Sequence, residues 1–235
     1  MGQAKNRGSQ EVRIAQAHER AKYAHEMNID TLLLSPVQRS LYLEMVCKRG
    51  ADLSKSIPHG EAIWSTFFEL LKFVVENEYR GGCHDTSAVL YMLLAELGIE
   101  STLCVGEVGL GKKFFDHSWI EINGQIFDVA ICMPLQAGLA VGGPLFANVD
   151  LSTGGLSTLQ FGVQSGQGLC DVAQVVLDSD LVTYAKSQRE PNLWTLAVVM
   201  HSRCGNVDAT FQGFNDRYGQ VRRKLRASAE NKICV

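Results

Sequence analysis

From residue 86 to 97 the apolar side chains Ala88, Val89, Leu90, Met92, Leu93, Leu94 and Leu97 recur at three- and four-residue spacings, and Gly98 follows. This pattern predicts a helix with a glycine stop. It also places Cys83 at the start of that helix, behind Gly81-Gly82. Residues 58–76 predict a second helix that is apolar almost all round, with Ile63, Trp64, Phe67, Phe68, Leu70 and Leu71 among its positions; such a helix is expected to be buried against the first. Its Trp64, Phe67 and Phe68 read as core, and His59 as a cap or a surface residue. Ser35-Pro36 opens another helix, with Leu41, Tyr42, Met45 and Val46 turned inward and Gly50 near its end. A mostly polar helix is expected over residues 9–27.

Alternation replaces helical spacing after Gly98. Residues 101–108 read as a strand. Residues 106–113, with Gly106, Gly109 and Gly111, read as a hairpin loop and a candidate flap, because their glycine order is not that of a dinucleotide loop. Residues 115–129 alternate around Asn123-Gly124, a strong two-residue hairpin signal. In that register His117 opposes Ala130 and Trp119 opposes Asp128. His117 and Asp128 then lie diagonally on one face, while Ile120, Ile122, Phe127 and Val129 form the core face. A change of one residue in the turn would move Asp128 to the core face. Residues 136–168 are glycine-rich and read as a long loop or short irregular strands. Beyond them a helix is expected over 169–186, a buried strand or helix over 193–200, and a final helix over 206–229 with an apolar side and a basic face.

Composition changes the picture in three ways. With 235 residues, 46% of them apolar, the chain can bury a full core, and disorder throughout is excluded. No apolar run is long enough to span a bilayer and the first residues lack a signal-peptide stretch, so a soluble, cytoplasmic protein without membrane attachment is expected. Residues 1–26 carry a net charge of +2 and residues 215–235 a net of +4, leaving −9 for the body between. Basic ends on an acidic body read first as solvated tails, and second as a weak contact for nucleic acid or an acidic partner. The absence of interleaved aromatic residues argues against nucleic acid. The seven cysteines, at 47, 83, 104, 132, 170, 204 and 234, form no Cys-x-x-Cys pair, so they read mainly as core residues of a reducing compartment. His201 with Cys204 reads as structural.

Cys83 is the exception among the thiols. A helix start carries unpaired N–H groups and about half a unit of positive charge, which favours thiolate and offers a donor to an oxyanion. Gly81-Gly82 would leave the thiol uncrowded. A thiol, an imidazole able to take its proton and a carboxylate able to fix the imidazole's tautomer form a nucleophilic triad. Cys83, His117 and Asp128 are its candidate members. Cys83, His84, His117 and Asp128 also have the ligand types of a zinc ion, a weaker alternative because neighbouring residues rarely point the same way. No metal and no other cofactor is called for.

The order Cys83 at a helix start, Gly98-Ile99 after the helix, a strand, then His117-Ser118-Trp119-Ile120-Glu121-Ile122 and Phe127-Asp128-Val129 resembles the transglutaminase-like branch of the papain-fold cysteine enzymes, over roughly residues 60 to 135. The resemblance implies an α+β fold, with N-terminal helices, a nucleophile helix packed on an antiparallel sheet and a partly helical C-terminal extension. Its expected boundaries are 1–57, 58–170 and 171–235, the last within the same globular unit. It also implies Cys83 as nucleophile, His117 as base and Asp128 as orienting acid, in a hydrolase or acyltransferase acting on amide or peptide bonds of a peptide or protein. Such a site needs a second oxyanion donor, and Trp64, Asn77 and Tyr79 are candidates, with Gly82, His84 and Trp119 further substrate or oxyanion candidates. The alternative is an inactive fold that binds a protein through its terminal helices.

Overall fold

The computed structural model describes residues 35–135, 138, 141–189, 191–206 and 208–227. The helix expected over 9–27, and Cys234, lie outside them. Helix α1 (Pro36–Ser54) begins with a capping box: Ser35 Oγ accepts from Gln38 N and Gln38 Oε1 accepts from Ser35 N. Such a cap stabilises a helix start by about 1 kcal/mol. The buried stripe is Leu43, Val46, Gly50 and Ser54, whereas Leu41, expected inside, is 60% exposed because it falls off that helical phase. Gly50 lies about one turn before the end of α1, as expected, and the ring of Trp64 comes within 2.1 Å of where a Cβ would stand.

Helix α2 (Gly60–Glu76) follows, with His59 at its N-cap in left-handed backbone and making no side-chain cap bond. Trp64 stacks on Phe67 and Phe68 and meets Phe146 edge-on, so this group is core, as its spacing predicts. Helix α3 (Cys83–Glu96) has Gly82 as N-cap and ends at Gly98, which takes positive φ. Its Ala88, Val89, Met92 and Leu94 are fully buried in the cluster that also holds residues of α2.

Strands β1 (Thr102–Leu110) and β2 (Lys113–Ile122) form an antiparallel hairpin joined by Gly111-Lys112. The expected hairpin connection is thus confined to Gly111-Lys112 and is too short for a flap: Gly106 and Gly109 lie inside β1, where buried Val105 and Val108 hold the strand in the sheet. Strand β3 (Gln125–Phe127) pairs with β2 in the expected register, from Ile122↔Gln125 to Ile120↔Phe127. The ladder stops there, so Trp119 does not pair with Asp128. Asp128 instead exchanges backbone hydrogen bonds with Leu145. Ile120, Ile122, Phe127 and Val129 lie in the main core as read. The opposite face is covered too, since Trp119 packs with Cys104, Val108, Ile131, Leu145 and Leu159.

The glycine-rich segment contains short strands, β4 (Leu145–Phe146), β5 (Val149–Asp150) and β6 (Gln160–Val163). The buried Asp150 carboxylate accepts from the N–H groups of Gly143, Ser152 and Thr153, and Arg49 of α1 donates to the carbonyls of Leu151 and Ser152. Strand β6 pairs antiparallel with the upper part of β1.

The helix expected over 169–186 is two helices, α4 (Asp171–Asp178) and α5 (Leu181–Lys186). Ser179 between them is extended, and Asp180 caps the second by accepting from Thr183 N. Residues 193–200 belong to helix α6 (Leu193–Arg203), started by the Asn192 side chain. The long final helix is replaced by α7 (Phe211–Tyr218) and a strand, β7 (Lys224–Arg226), parallel to β1. The start of α5 draws the intervening chain away from helix, for Leu181 N donates to Val221 O and Val182 N to Gly219 O. The expected basic face is consequently dispersed into internal ties, with Arg217 on Glu96, Arg222 on the Asp178 carbonyl and Arg226 on Glu121.

The sheet order is β3-β2-β1-β6, with β7 sharing the edge of β1, and the architecture is α+β. Among the described residues no helix is long and apolar enough to cross a membrane. Gly50→Ala is expected to lower stability by about 1–3 kcal/mol through collision with Trp64. An exposed helical glycine would instead gain up to about 1 kcal/mol from the same change. Urea unfolding decides the sign, and a raised midpoint would mean that the indole does not occupy this space.

Candidate active site

Cys83 is the first residue of α3 and is partly open at the surface, while the apolar side of the helix is locked in the core. The two glycines before it are occupied ground rather than open approach. A Cβ on Gly82 would meet the Tyr79 ring at 2.2 Å, and one on Gly81, whose φ is +66°, would meet Leu135 at 2.3 Å. Gly81 N donates to Met133 O, which ties the start of the helix to the chain beyond Asp128.

His117 lies on β2, only 6% exposed, between the ring edges of Phe115 and Phe161. Its Nε2 is 2.6 Å from Asp128 Oδ2, and Asp128 Oδ1 accepts from Ala130 N at 2.9 Å. Both carboxylate oxygens are thus engaged just after the chain leaves the ladder. With Nε2 committed to Asp128, Nδ1 is the ring nitrogen left for the thiol, whose ionisation His117 favours by its charge and by the donor it offers.

A second imidazole acts on the same sulfur. His84 also favours the Cys83 thiolate by its charge and by the donor it offers, although the two residues are adjacent in the chain. His84 Nδ1 is 2.7 Å from the fully buried Ser118 Oγ, and its carbonyl accepts from Arg223 Nη2 at 2.9 Å. Burial alone would push the Cys83 thiol up. The charges of His117 and His84, together with their hydrogen bonds to the sulfur, outweigh burial and bring the thiol down to about 5. Burial likewise opposes charge on His117, but the Asp128 carboxylate and the thiolate raise it to about 10. The favoured state between these limits is a thiolate–imidazolium pair. Burial pushes Cys104 up to about 12 and Cys204 to about 11, so these thiols resist ionisation.

The remaining candidates are placed elsewhere. Trp64 is packed in the aromatic core, Asn77 donates to Phe73 O of its own helix, and Trp119 Nε1 donates to Glu121. Tyr79 gives its hydroxyl to Asp85 Oδ2 at 2.7 Å. These four side chains are therefore already committed, which corrects the expectation that one of them serves an oxyanion. Among the described residues no group of three or more His, Cys, Asp or Glu side chains is gathered as metal ligands.

Five further residues gather near the thiol that the sequence does not mark as members of the site. Asp85, in the first turn of α3, accepts from Tyr79, from Tyr184 Oη at 2.7 Å and from Gln188 Nε2 at 2.5 Å. Arg223, 4% exposed, lies with its guanidinium carbon 4.5 Å from the Tyr184 ring centroid. Ser118 was visible only as the middle of the His-Ser-Trp run, while Tyr184, Gln188 and Arg223 lie about a hundred residues or more beyond Cys83, where spacing says nothing.

The family model of the transglutaminase-like superfamily matches residues 31–135. That segment holds Cys83, His84, His117 and Asp128, and the chain therefore carries a transglutaminase-like domain with the papain-like arrangement of a cysteine-bearing helix against an antiparallel sheet. Comparison with curated proteins and with solved structures gives no match. Tyr184, Gln188 and Arg223 stand outside the matched segment.

Because the Cys83 thiol is lowered to about 5, its reactivity is present above that pH and lost as pH falls through it. Iodoacetamide labelling with peptide mapping should give an apparent pKa near 5 for Cys83, against about 8.5 for ordinary thiols. His117→Ala should move it upward. Asp128→Asn should lower the upper transition, which carbon-13 histidine NMR reads directly. A Cys83 that labels like the other thiols would remove the ion pair.

Proposed function

We propose that the protein is a thiol-dependent enzyme that cleaves or transfers the acyl group of an amide bond, with Cys83 as nucleophile, His117 as acid and base, and Asp128 as the orienting carboxylate. The observation that supports it most is the 2.6 Å contact of His117 Nε2 with Asp128 Oδ2, which leaves Nδ1 for a thiol that His117 lowers.

The steps follow from that order. The Cys83 thiolate attacks the carbonyl carbon, a C–S bond forms, and the carbonyl electron pair moves to oxygen. The oxyanion collapses, the C–N bond breaks, and His117 gives its proton to the departing amine. Neutral His117 then takes a proton from water or from a second amine, which attacks the thioester and releases Cys83 as thiolate. Asp128 holds the imidazole in the tautomer with Nε2–H toward itself, which keeps Nδ1 available to the sulfur and the leaving group. Peptides or proteins are the substrates this reading favours, and a reducing, cytoplasmic setting suits an exposed thiolate.

A p-nitrophenyl ester supplies a test that needs no known substrate. The wild-type protein should release nitrophenol in a burst and carry the acyl group on Cys83, and Cys83→Ser should abolish the thioester. His117→Ala should slow acylation by about 10²–10⁴-fold, the usual range for removing an acid–base group. A wild-type protein that gains no acyl group on Cys83 under these conditions would leave a thiol-lined binding module in place of an enzyme.

A further inference from the structure

The reading of Cys83 as nucleophile leaves one chemical need unmet. The carbonyl oxygen that becomes an oxyanion requires two donors held in place before the reaction. The N–H of Cys83, at the first position of α3, has no acceptor within its own helix and provides one. The side chains expected to provide the other, Trp64, Asn77, Tyr79 and Trp119, are committed to the core, to Phe73 O, to Asp85 and to Glu121.

We propose that His84 is the second oxyanion donor, presenting Nε2–H to the substrate carbonyl oxygen beside the Cys83 sulfur. This rests on the proposed acyl chemistry and deepens it. Three contacts fix the residue independently of the thiol. Ser118 Oγ holds Nδ1 at 2.7 Å, Arg223 Nη2 holds the carbonyl at 2.9 Å, and the Tyr184 ring meets the imidazole edge-on with centroids 6.4 Å apart. With Nδ1 taken by Ser118 Oγ, Nε2 is the ring nitrogen that remains for the site, and it carries a proton both in the imidazolium and in the tautomer that accepts from Ser118. In the resting enzyme His84 favours the thiolate by its charge and by the donor it offers. When the sulfur bonds to the carbonyl carbon its negative charge passes to the carbonyl oxygen, and the donor follows the charge by a small shift. His117 is bound to Asp128 through Nε2 and must carry the proton of the leaving group, so it cannot do both tasks. Two imidazoles on one sulfur therefore divide the work between proton transfer and oxyanion binding.

The test compares two reactions of Cys83 in the full chain, at a pH well above its thiol transition. Acylation by p-nitrophenyl acetate passes through an oxyanion; alkylation by iodoacetamide displaces iodide at a saturated carbon and does not. In His84→Ala the ratio of acylation to alkylation rates should fall about 10²–10³-fold, the range seen when one oxyanion donor is removed. His84→Gln, which keeps an N–H donor, should recover part of it. If both rates fall together, His84 serves the thiolate or the fold and the proposal is overturned. If wild-type Cys83 reacts with neither reagent faster than Cys47, the thiol chemistry itself fails, and that outcome is separate from a loss confined to the ratio.

Discussion

A thiolate is stable inside a protein only where positive charge and donors meet it as closely as water would. At the start of α3 two imidazoles do this, and their combined effect exceeds the cost of burial, bringing Cys83 down to about 5. That balance depends on position to within the length of a hydrogen bond. Cys83 cannot move because Ala88, Val89, Met92 and Leu94 are buried without exposure in the core, so the helix has no freedom to slide along its axis. Gly81 and Gly82 then let Leu135 and Tyr79 close against the first turn, where any Cβ would collide.

The region after residue 170, beyond the matched segment, stabilises the same turn from the other side. Tyr184 and Gln188 join Tyr79 on the Asp85 carboxylate, so three donors from two distant stretches hold one side chain in the first turn of α3. An acidic group there also suits the positive end of the helix. Arg223 brings a guanidinium into a nearly closed space. Burial of such a cation is costly, and its pKa is lowered accordingly. The His84 carbonyl, the face of Tyr184 and the charges of Asp85 and Cys83 offset that cost. Its Nε and Nη1 make no hydrogen bond among the described residues, so the stabilisation is mainly electrostatic. Strand β7, immediately after Arg223, fastens this contact to the sheet by pairing with β1. Among the described residues, Arg217, Arg222, Arg223 and Arg226 therefore make contacts within the molecule, where the sequence read a basic surface.

The division between what the chain announces and what folding adds can be followed residue by residue. Helical spacing after Cys83, the stop at Gly98, the apolar α2 and the Asn123-Gly124 turn are local patterns, and each determined its element and its register. The order of Cys83, His117 and Asp128 was legible for the same reason, because a helix start and a hairpin constrain where those residues lie. Failures came where a tertiary contact outweighed local preference. Gly106 and Gly109 read as a loop and lie in a strand; residues 206–229 read as a helix, and the described ones among them are divided between α7, β7 and irregular chain. The sequence by itself determined the α+β class, the cysteine-bearing helix and the hairpin that carries His117. Only the tertiary structure decided that His84 beside the cysteine is held by Ser118 and Arg223, and that Tyr184 packs against both His84 and Arg223. Those contacts join residues as far as 139 positions apart, and no periodicity in a chain encodes a separation that only packing creates.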